Sequence, residues 1–180
     1  LSNQWYDTAK SLALRVRQPS LLATPLASMA RARLNEGLYE EALPIWDELQ
    51  IVMEKINFKP WIGNALYGKG LTYYFLQEFD TSIFIQRKAL QLFTAIKRKD
   101  KAISCINNLA NSYLMQGNYP GALDNYLMAF KIAQDLSDTT NLIVIGGNCG
   151  MVYKYLGKNT EAQNYYRQSY ELAKKANDLF

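Results

Sequence analysis

A motif that recurs every 40 residues constrains this chain more than any other feature of its sequence. One register of the motif is aromatic in four of its five copies: Tyr6, Trp46, Gln86, Tyr126 and Tyr166. The position three residues later is small in four of the five copies: Ala9, Leu49, Ala89, Ala129 and Ser169. Fixed spacing of this kind is typical of one supersecondary unit stacked on copies of itself. Because a unit this short cannot bury its apolar face alone, we expect the copies to pack against one another.

The apolar residues within each copy follow the period of an α-helix. In the third copy, Ile106, Leu109, Ala110 and Tyr113 lie at the i, i+3, i+4 and i+7 positions of one helical face. No stretch alternates apolar and polar residues as a half-buried strand would. The sequence therefore predicts an all-α protein.

Glycines mark the predicted helix ends. A second register of the motif reads Gly37, Gln77, Gly117 and Gly157, and glycine tolerates the left-handed conformation that ends many helices. Asp80 and Thr160 stand where the next helix is expected to begin, as capping residues. The predicted helices form four pairs, whose bounds carry an error of about 2–4 residues: 22–36 with 40–57, 61–76 with 80–98, 102–116 with 120–136, and 141–156 with 160–177.

These pairs correspond to four repeats, 21–58, 59–100, 101–140 and 141–180, which we expect to form a single array over residues 1–180. The segment 1–20 precedes them. Its predicted helix, residues 3–17, matches the second helix of a pair, because Tyr6 and Ala9 occupy that register. The segment is either a natural cap or half of a repeat. Since the chain starts at Leu1 rather than Met, we favour the half repeat, cut from a longer array.

The composition argues against several classes of protein. The net charge is +4 and there is no histidine, so we expect neither a nucleic-acid binder nor a Cys/His metal site. Cys105 and Cys149 lie in apolar helical contexts, where a free thiol behaves as a small hydrophobe. The densest basic stretch, residues 97–101, is interpreted as a solvated turn, with contact to an acidic partner as the alternative. There is no apolar run of about 18 residues, so no membrane span is expected.

The sequence carries no recognisable catalytic machinery. Histidine, the commonest general base, is absent. The glycine-rich run 146–150 lacks the Lys-Ser/Thr pair of a phosphate-binding loop, and we interpret the run as tight helix packing. We therefore predict a protein that is not an enzyme and that uses no cofactor.

The motif resembles the tetratricopeptide repeat (TPR), which places small and aromatic residues at fixed positions of paired helices. The third copy matches best, with Leu109, Ala110, Tyr113, Gly117, Tyr119, Ala122, Tyr126 and Ala129. Its period exceeds the usual period of about 34 residues. In this it is similar to the long repeats of kinesin light chains, spindle-orientation adaptor scaffolds and bacterial peptide-sensing regulators. The resemblance implies a right-handed α-solenoid of antiparallel helix pairs.

In such proteins the first helix of each pair lines a concave groove that binds peptides or proteins. The resemblance therefore implies a non-catalytic scaffold or adaptor with a protein or peptide partner, and we expect a cytoplasmic protein. A sensor domain of a larger signalling protein and a self-association module are the alternatives. The groove positions, carried onto this sequence, are Arg31, Asn64, Tyr67, Leu71, Tyr74, Asn107, Asn108, Asn111, Met115, Asn148, Met151 and Lys154.

Three of these candidates, Asn107, Asn108 and Asn111, fall within five residues. Asparagine is a mediocre helix former, but its amide both donates and accepts hydrogen bonds, which suits the backbone of an extended peptide. The alternative is a solvated polar face. A carboxylate clamp of the chaperone-binding type requires a lysine where Asn107 stands, four residues before Asn111, so that subtype is not expected. The aromatic and methionine candidates form either an apolar wall of the groove or part of the core.

Overall fold

The computed structural model describes residues 8, 11, 15 and 18–177, and these residues are almost entirely helical. A 3₁₀ turn, Pro19–Leu22, leads into eight α-helices: α1 (Ala23–Asn35), α2 (Tyr39–Lys55), α3 (Lys59–Phe75), α4 (Phe79–Ala95), α5 (Lys99–Met115), α6 (Tyr119–Asp135), α7 (Thr139–Tyr155) and α8 (Asn159–Asn177). We call the first member of each pair the A helix (α1, α3, α5, α7) and the second the B helix (α2, α4, α6, α8). The all-α prediction is confirmed. The predicted helix over residues 3–17 lies largely outside the described residues.

Three-residue turns of one shape separate the helices. The middle residue of each turn has a positive φ: 78°, 74° and 73° at Gly37, Gly117 and Gly157, and 51° to 62° at Asn57, Gln77, Lys97 and Ser137. The following backbone N–H closes the turn onto the helix just completed, as from Leu38 to the Arg33 carbonyl at 2.8 Å. This bond satisfies a carbonyl that the helix end would otherwise leave unpaired. The glycines predicted to end helices do so, and four non-glycine residues adopt the same left-handed conformation.

The helix starts differ from the capping residues predicted by sequence. Asp80 and Thr160 each occupy the second position of a helix, because α4 begins at Phe79 and α8 at Asn159. The preceding turn fixes the start two residues after its left-handed residue, whichever residue type stands there. Side-chain caps occur elsewhere: the Oδ1 atoms of Asn118 and Asp138 each accept a bond from the backbone N–H three residues on, at 3.0 Å.

The chain divides into two compact units, Leu1–Lys97 and Arg98–Phe180. The division falls close to the predicted boundary between the repeats 59–100 and 101–140. Each unit contains two of the predicted helix pairs. The expectation that all four repeats build one continuous array stays a prediction.

In the N-terminal unit, α3 packs against both α2 and α4, and three of its glycines make this possible. A Cβ atom added at Gly68 would overlap the buried Trp46 ring of α2. Added at Gly63 or Gly70, it would come within 2.7 Å of Phe93 or Gln86 of α4. Glycine therefore sets how closely these helices approach, as expected for small residues at close helix contacts.

Gln86 replaces the aromatic residue of the motif in this unit and is fully buried. Its Nε2 donates to the Tyr67 carbonyl at 3.2 Å, and nearby Ser82 Oγ donates to the Gly70 carbonyl at 2.8 Å. A buried amide is costly without such partners. Hydrogen bonds from α4 to the backbone of α3 thus stand where the other repeats use an aromatic ring.

In the C-terminal unit, the aromatic and small positions of the motif meet as the family pattern requires. Tyr126 is fully buried in α6, and its hydroxyl donates to Asn111 Oδ1 of α5. A Cβ atom added at Gly150 of α7 would lie 2.8 Å from the Tyr166 ring of α8. The thiols of Cys105 and Cys149 are buried, and this burial raises the pKa of each to about 12. They are packing residues rather than nucleophiles.

Replacement of Tyr126 tests the contribution of the buried aromatic register. We expect Tyr126→Ala to lower the free energy of unfolding by about 3–5 kcal/mol, because it leaves a large cavity. Tyr126→Phe keeps the ring and removes only the bond to Asn111, so a loss of about 0.5–1.5 kcal/mol is expected. Urea unfolding followed by circular dichroism measures both values. Equal losses in the two variants would contradict the assignment of the ring as the main source of stability.

Two glycine replacements of the same chemistry are expected to act in opposite directions. Gly68→Ala places a methyl group against the rigid Trp46 ring, and such overpacking costs about 1–3 kcal/mol. Gly147 lies in the middle of α7, and a Cβ atom added there would have no neighbour within 4 Å. Gly147→Ala is therefore expected to stabilise the chain by about 0.5–1 kcal/mol through helix propensity alone. Thermal unfolding of the two variants checks the signs, and a stabilised Gly68→Ala would contradict the packing argument.

Candidate functional site

Asparagines join the A helices of the C-terminal unit. Asn148 Nδ2 of α7 donates to Asn107 Oδ1 of α5 at 3.4 Å, and both side chains are half-buried. The two residues lie 41 positions apart, so they occupy adjacent positions of the repeat on successive A helices. Polar side chains of α5 and α7 therefore lie side by side on the A-helix layer of this unit.

Gly147 lies next to this amide pair and is open. Its neighbours Gly146 and Gly150 contact side chains of α6 and α8, whereas nothing lies within 4 Å of the Cβ position of Gly147. The interpretation of the whole run 146–150 as packing was therefore wrong at this one residue. The sequence did carry a signal: Gly147 stands 40 residues after Asn107, a groove position, and not after the small packing residue Ala110.

The other two clustered asparagines have different surroundings from Asn107. Asn111 Oδ1 accepts the hydroxyl proton of Tyr126, so this side chain supports the core of its own repeat. Asn108 is only 7% exposed, and its Nδ2 has no hydrogen-bond acceptor among the described residues. Of the three, Asn107 is the residue that contacts the neighbouring A helix. The role of all three in peptide contact stays a prediction.

The remaining candidates of this unit surround the amide pair along α5 and α7. Met151 is half-buried one turn beyond Gly147, and Lys154 is exposed another turn on. Met115, at the end of α5, is 55% exposed. An apolar contact and a cation thus follow the amide pair toward the C-terminal end of the layer.

The N-terminal unit has its own candidates. Asn64, Tyr67, Leu71 and Tyr74 are half-buried along α3, and Arg31 is exposed on α1. The Tyr74 ring meets the Phe75 ring edge-on at 5.4 Å, and Phe75 stacks on Tyr39 of α2 at 5.4 Å. The aromatic residues at the end of α3 therefore take part in packing, although Phe75 remains 40% exposed. Both sequence alternatives, groove wall and core, describe part of what is observed.

The described residues offer little for catalysis. Within residues 18–177 and the three described positions before them, no group of three or more His, Cys, Asp or Glu could hold a metal ion. Burial keeps both thiols protonated at neutral pH, with a pKa of about 12. None of the described helices is long and apolar enough to cross a membrane. The chemistry that the A-helix layers do offer is hydrogen bonding by amides, apolar contact and positive charge.

Comparison with known proteins identifies the repeat. Two sequence profiles described as tetratricopeptide repeat match residues 63–96 and 102–175. A curated relative, the mitochondrial tetratricopeptide repeat protein 19 homolog of Drosophila melanogaster, is 26% identical over 121 residues. The match covers 65% of this chain and 30% of the relative. The chain thus spans about a third of that relative's length.

Solved structures share the fold. The structure of BtubC (BKLC) from P. vanneervenii has a TM-score of 0.81 and 18% identity, covering 96% of this chain and 74% of that one. A signal transduction ATPase with numerous domains (STAND protein) from Pyrococcus horikoshii, which has a tetratricopeptide repeat sensor, has a TM-score of 0.76 and 18% identity. That match covers 86% of this chain and 24% of the other. Sequence motif, helix packing and these matches agree, and the chain belongs to the tetratricopeptide repeat family of helical-repeat solenoid proteins.

Proposed function

We propose that the chain is a non-catalytic scaffold that binds a peptide segment of a partner protein across its A helices. TPR proteins are generally non-catalytic scaffolds, and the fold and its neighbours fit a protein-interaction scaffold or a sensor. The observation that carries the proposal is the half-buried Asn107–Asn148 pair beside the open Gly147. It combines polar groups of fixed orientation with space for a ligand.

The amide pair suits the backbone of an extended peptide. Each asparagine amide has two N–H donors and an oxygen that accepts two bonds, and the bond between Asn107 and Asn148 uses one donor and one acceptor site. The remaining groups can pair with peptide N–H and C=O groups irrespective of the peptide sequence. Because the pair already fixes the two side chains, less rotamer entropy is lost on binding than for free side chains.

Gly147 supplies the space. A glycine in the middle of a helix destabilises it by about 0.5–1 kcal/mol relative to alanine, and at Gly147 no close helix contact compensates for this cost. Access for a ligand backbone does account for it, since glycine permits another chain to approach closely. Met151 and Met115 then offer adaptable apolar contact.

The candidates of the N-terminal unit form a second set on the same side of the repeat. Asn64, Tyr67 and Leu71 of α3 stand at positions equivalent to those of α5 and α7. With Arg31 and Tyr74 they complete the proposed binding residues of that unit. Asn108 and Asn111 support the proposal as the residues on which the Asn107 turn of α5 is packed.

The second candidate function is a sensor whose ligand controls an attached effector. It is favoured by the STAND protein, whose tetratricopeptide repeats form a sensor. A scaffold and a sensor share the binding step and differ in the response to it. The full-length parent protein distinguishes them, because a sensor requires that peptide binding change the activity of a second domain in the same chain.

Filling the open position at Gly147 tests the binding site directly. The probe is a peptide selected from a displayed random library on the immobilised chain. We expect Gly147→Leu to weaken binding of that peptide about tenfold or more, because the leucine side chain occupies the space beside the amide pair. Fluorescence anisotropy titration measures the affinity, and circular dichroism confirms that the helix content is unchanged.

Gln168→Leu is the matched control. It adds the same side chain at an exposed position in the middle of α8, a B helix of the same unit. The control is expected to bind the peptide as the unaltered chain does. Unchanged affinity in Gly147→Leu, or an equal loss in both variants, would contradict the proposed site.

A further inference from the structure

Charges are distributed unequally between the two kinds of helix. The four A helices carry seven cations and one carboxylate, Asp100. The cations are Arg31, Arg33, Lys59, Lys69, Lys99, Lys101 and Lys154. The four B helices carry seven cations and ten carboxylates. The mild net charge of the chain therefore conceals a basic A-helix layer in each unit.

Part of this charge is neutralised within the protein. Arg33 forms ion pairs with Glu36 and Glu41, and Lys69 pairs with Asp47 of α2. Four further A-helix cations take part in no ion pair within the described part of the chain: Arg31, Lys59, Lys99 and Lys154. They remain available to a ligand.

The single carboxylate of the A helices does not offset them. Asp100 is held by Arg98, whose Nη2 lies 2.7 Å from its Oδ2. This hydrogen bond, with the nearby positive charges, lowers the pKa of Asp100 to about 2. The carboxylate therefore stays ionised and paired with a residue of the preceding turn.

Two of the unpaired cations oppose the local electrostatics of their helices. Lys59 and Lys99 are the first residues of α3 and α5, where the helix dipole favours an anion. Three of the B helices have carboxylates in the first turn, including Glu40, Asp80 and Glu161. Helix stability alone would favour the same arrangement in α3 and α5, so the lysines there indicate a requirement other than stability.

We propose that the segment bound by the A-helix layers is acidic, a peptide rich in Asp and Glu. The inference rests on the proposed function and names the chemistry of its ligand. Lys154 lies two turns after Gly147 on α7, so a peptide over the amide pair extends toward it. Arg31 occupies the same register in α1 as Asn111 in α5. The amides bind the peptide backbone, and the cations select its carboxylates.

The charge pattern favours an acidic peptide over a nucleic acid. A nucleic acid carries a phosphate at every nucleotide, and its affinity depends on many simultaneous cation contacts. Here the unpaired cations are few, and the adjacent B helices carry ten carboxylates that repel a continuous polyanion. A peptide can place isolated carboxylates at the few cations and neutral residues elsewhere.

Selection from an unbiased peptide library tests the inference. A displayed random library is enriched on the immobilised full chain, and the enriched peptides are sequenced. We expect their mean net charge to be more negative than that of the input library. Enriched peptides that are neutral or basic would overturn the inference while leaving the scaffold function intact. A library from which no peptide is enriched would contradict the proposed function itself.

Charge reversals locate the contact. Lys154→Glu and, in the other unit, Arg31→Glu are each expected to weaken binding of a selected acidic peptide about tenfold, since like charges then face each other. Lys174→Glu is the matched control for Lys154→Glu, because both lysines stand in the last turn of a helix. The control changes net charge and dipole contact equally but lies on a B helix. Affinity of the control is expected to stay within about twofold.

The result that would overturn the inference is equal weakening in Lys154→Glu and Lys174→Glu, which would indicate net charge rather than a site. A single-stranded oligouridylate that displaces the selected peptide at lower concentration than the peptide itself would also overturn it. The contribution of Lys154 has a further signature. Added salt is expected to weaken binding more in the unaltered chain than in Lys154→Glu, because screening acts on the contact that the variant lacks.

Discussion

Close contact between a small residue on an A helix and a large side chain on a B helix determines the rest of this structure. Gly68 against Trp46 and Gly150 against Tyr166 are contacts that no side chain at the glycine could accommodate without displacement of a ring. Because packed interiors tolerate little change in volume, these positions fix which face of each A helix is turned inward. The opposite face is then free of packing constraints. The availability of a binding surface is thus a consequence of how the core is built.

The uniform turns extend this constraint along the chain. Each helix from α3 to α8 begins 20 residues after the start of the previous one, because each turn has the same length and the same left-handed central residue. Side chains 40 residues apart consequently occupy equivalent positions within their repeats. Asn107 and Asn148 illustrate the result: a separation of 41 residues brings their amides within hydrogen-bond distance. Regular turns, rather than any long-range contact, place polar groups of different repeats next to one another.

The sequence predicted the helices well and the individual side chains less well, for a physical reason. Helix pairs and ends depend on periodicity and on turn residues, which are local, so Gly37 and Gly117 could be recognised directly. The positions Lys97 and Ser137, equally left-handed, could not, since their conformation is imposed by the helices on either side. The bond between Tyr126 and Asn111 and the openness of Gly147 depend on neighbours in space. No pattern along the chain distinguishes a glycine that faces a ring from one that faces solvent, except its register in the repeat.

That register explains why α7 carries three glycines within five residues and why they differ in meaning. Gly146 and Gly150 are separated by four residues and lie on the inward face, where α6 and α8 approach. Gly147 is rotated by about 100° from Gly146 around the helix and lies on the other side of that boundary. Packing stabilises the first two positions and offers nothing at the third, where alanine would favour the helix. A residue that weakens its own helix without improving any contact within the protein requires a contact outside it, and the neighbouring amides and cations describe the chemistry of that contact.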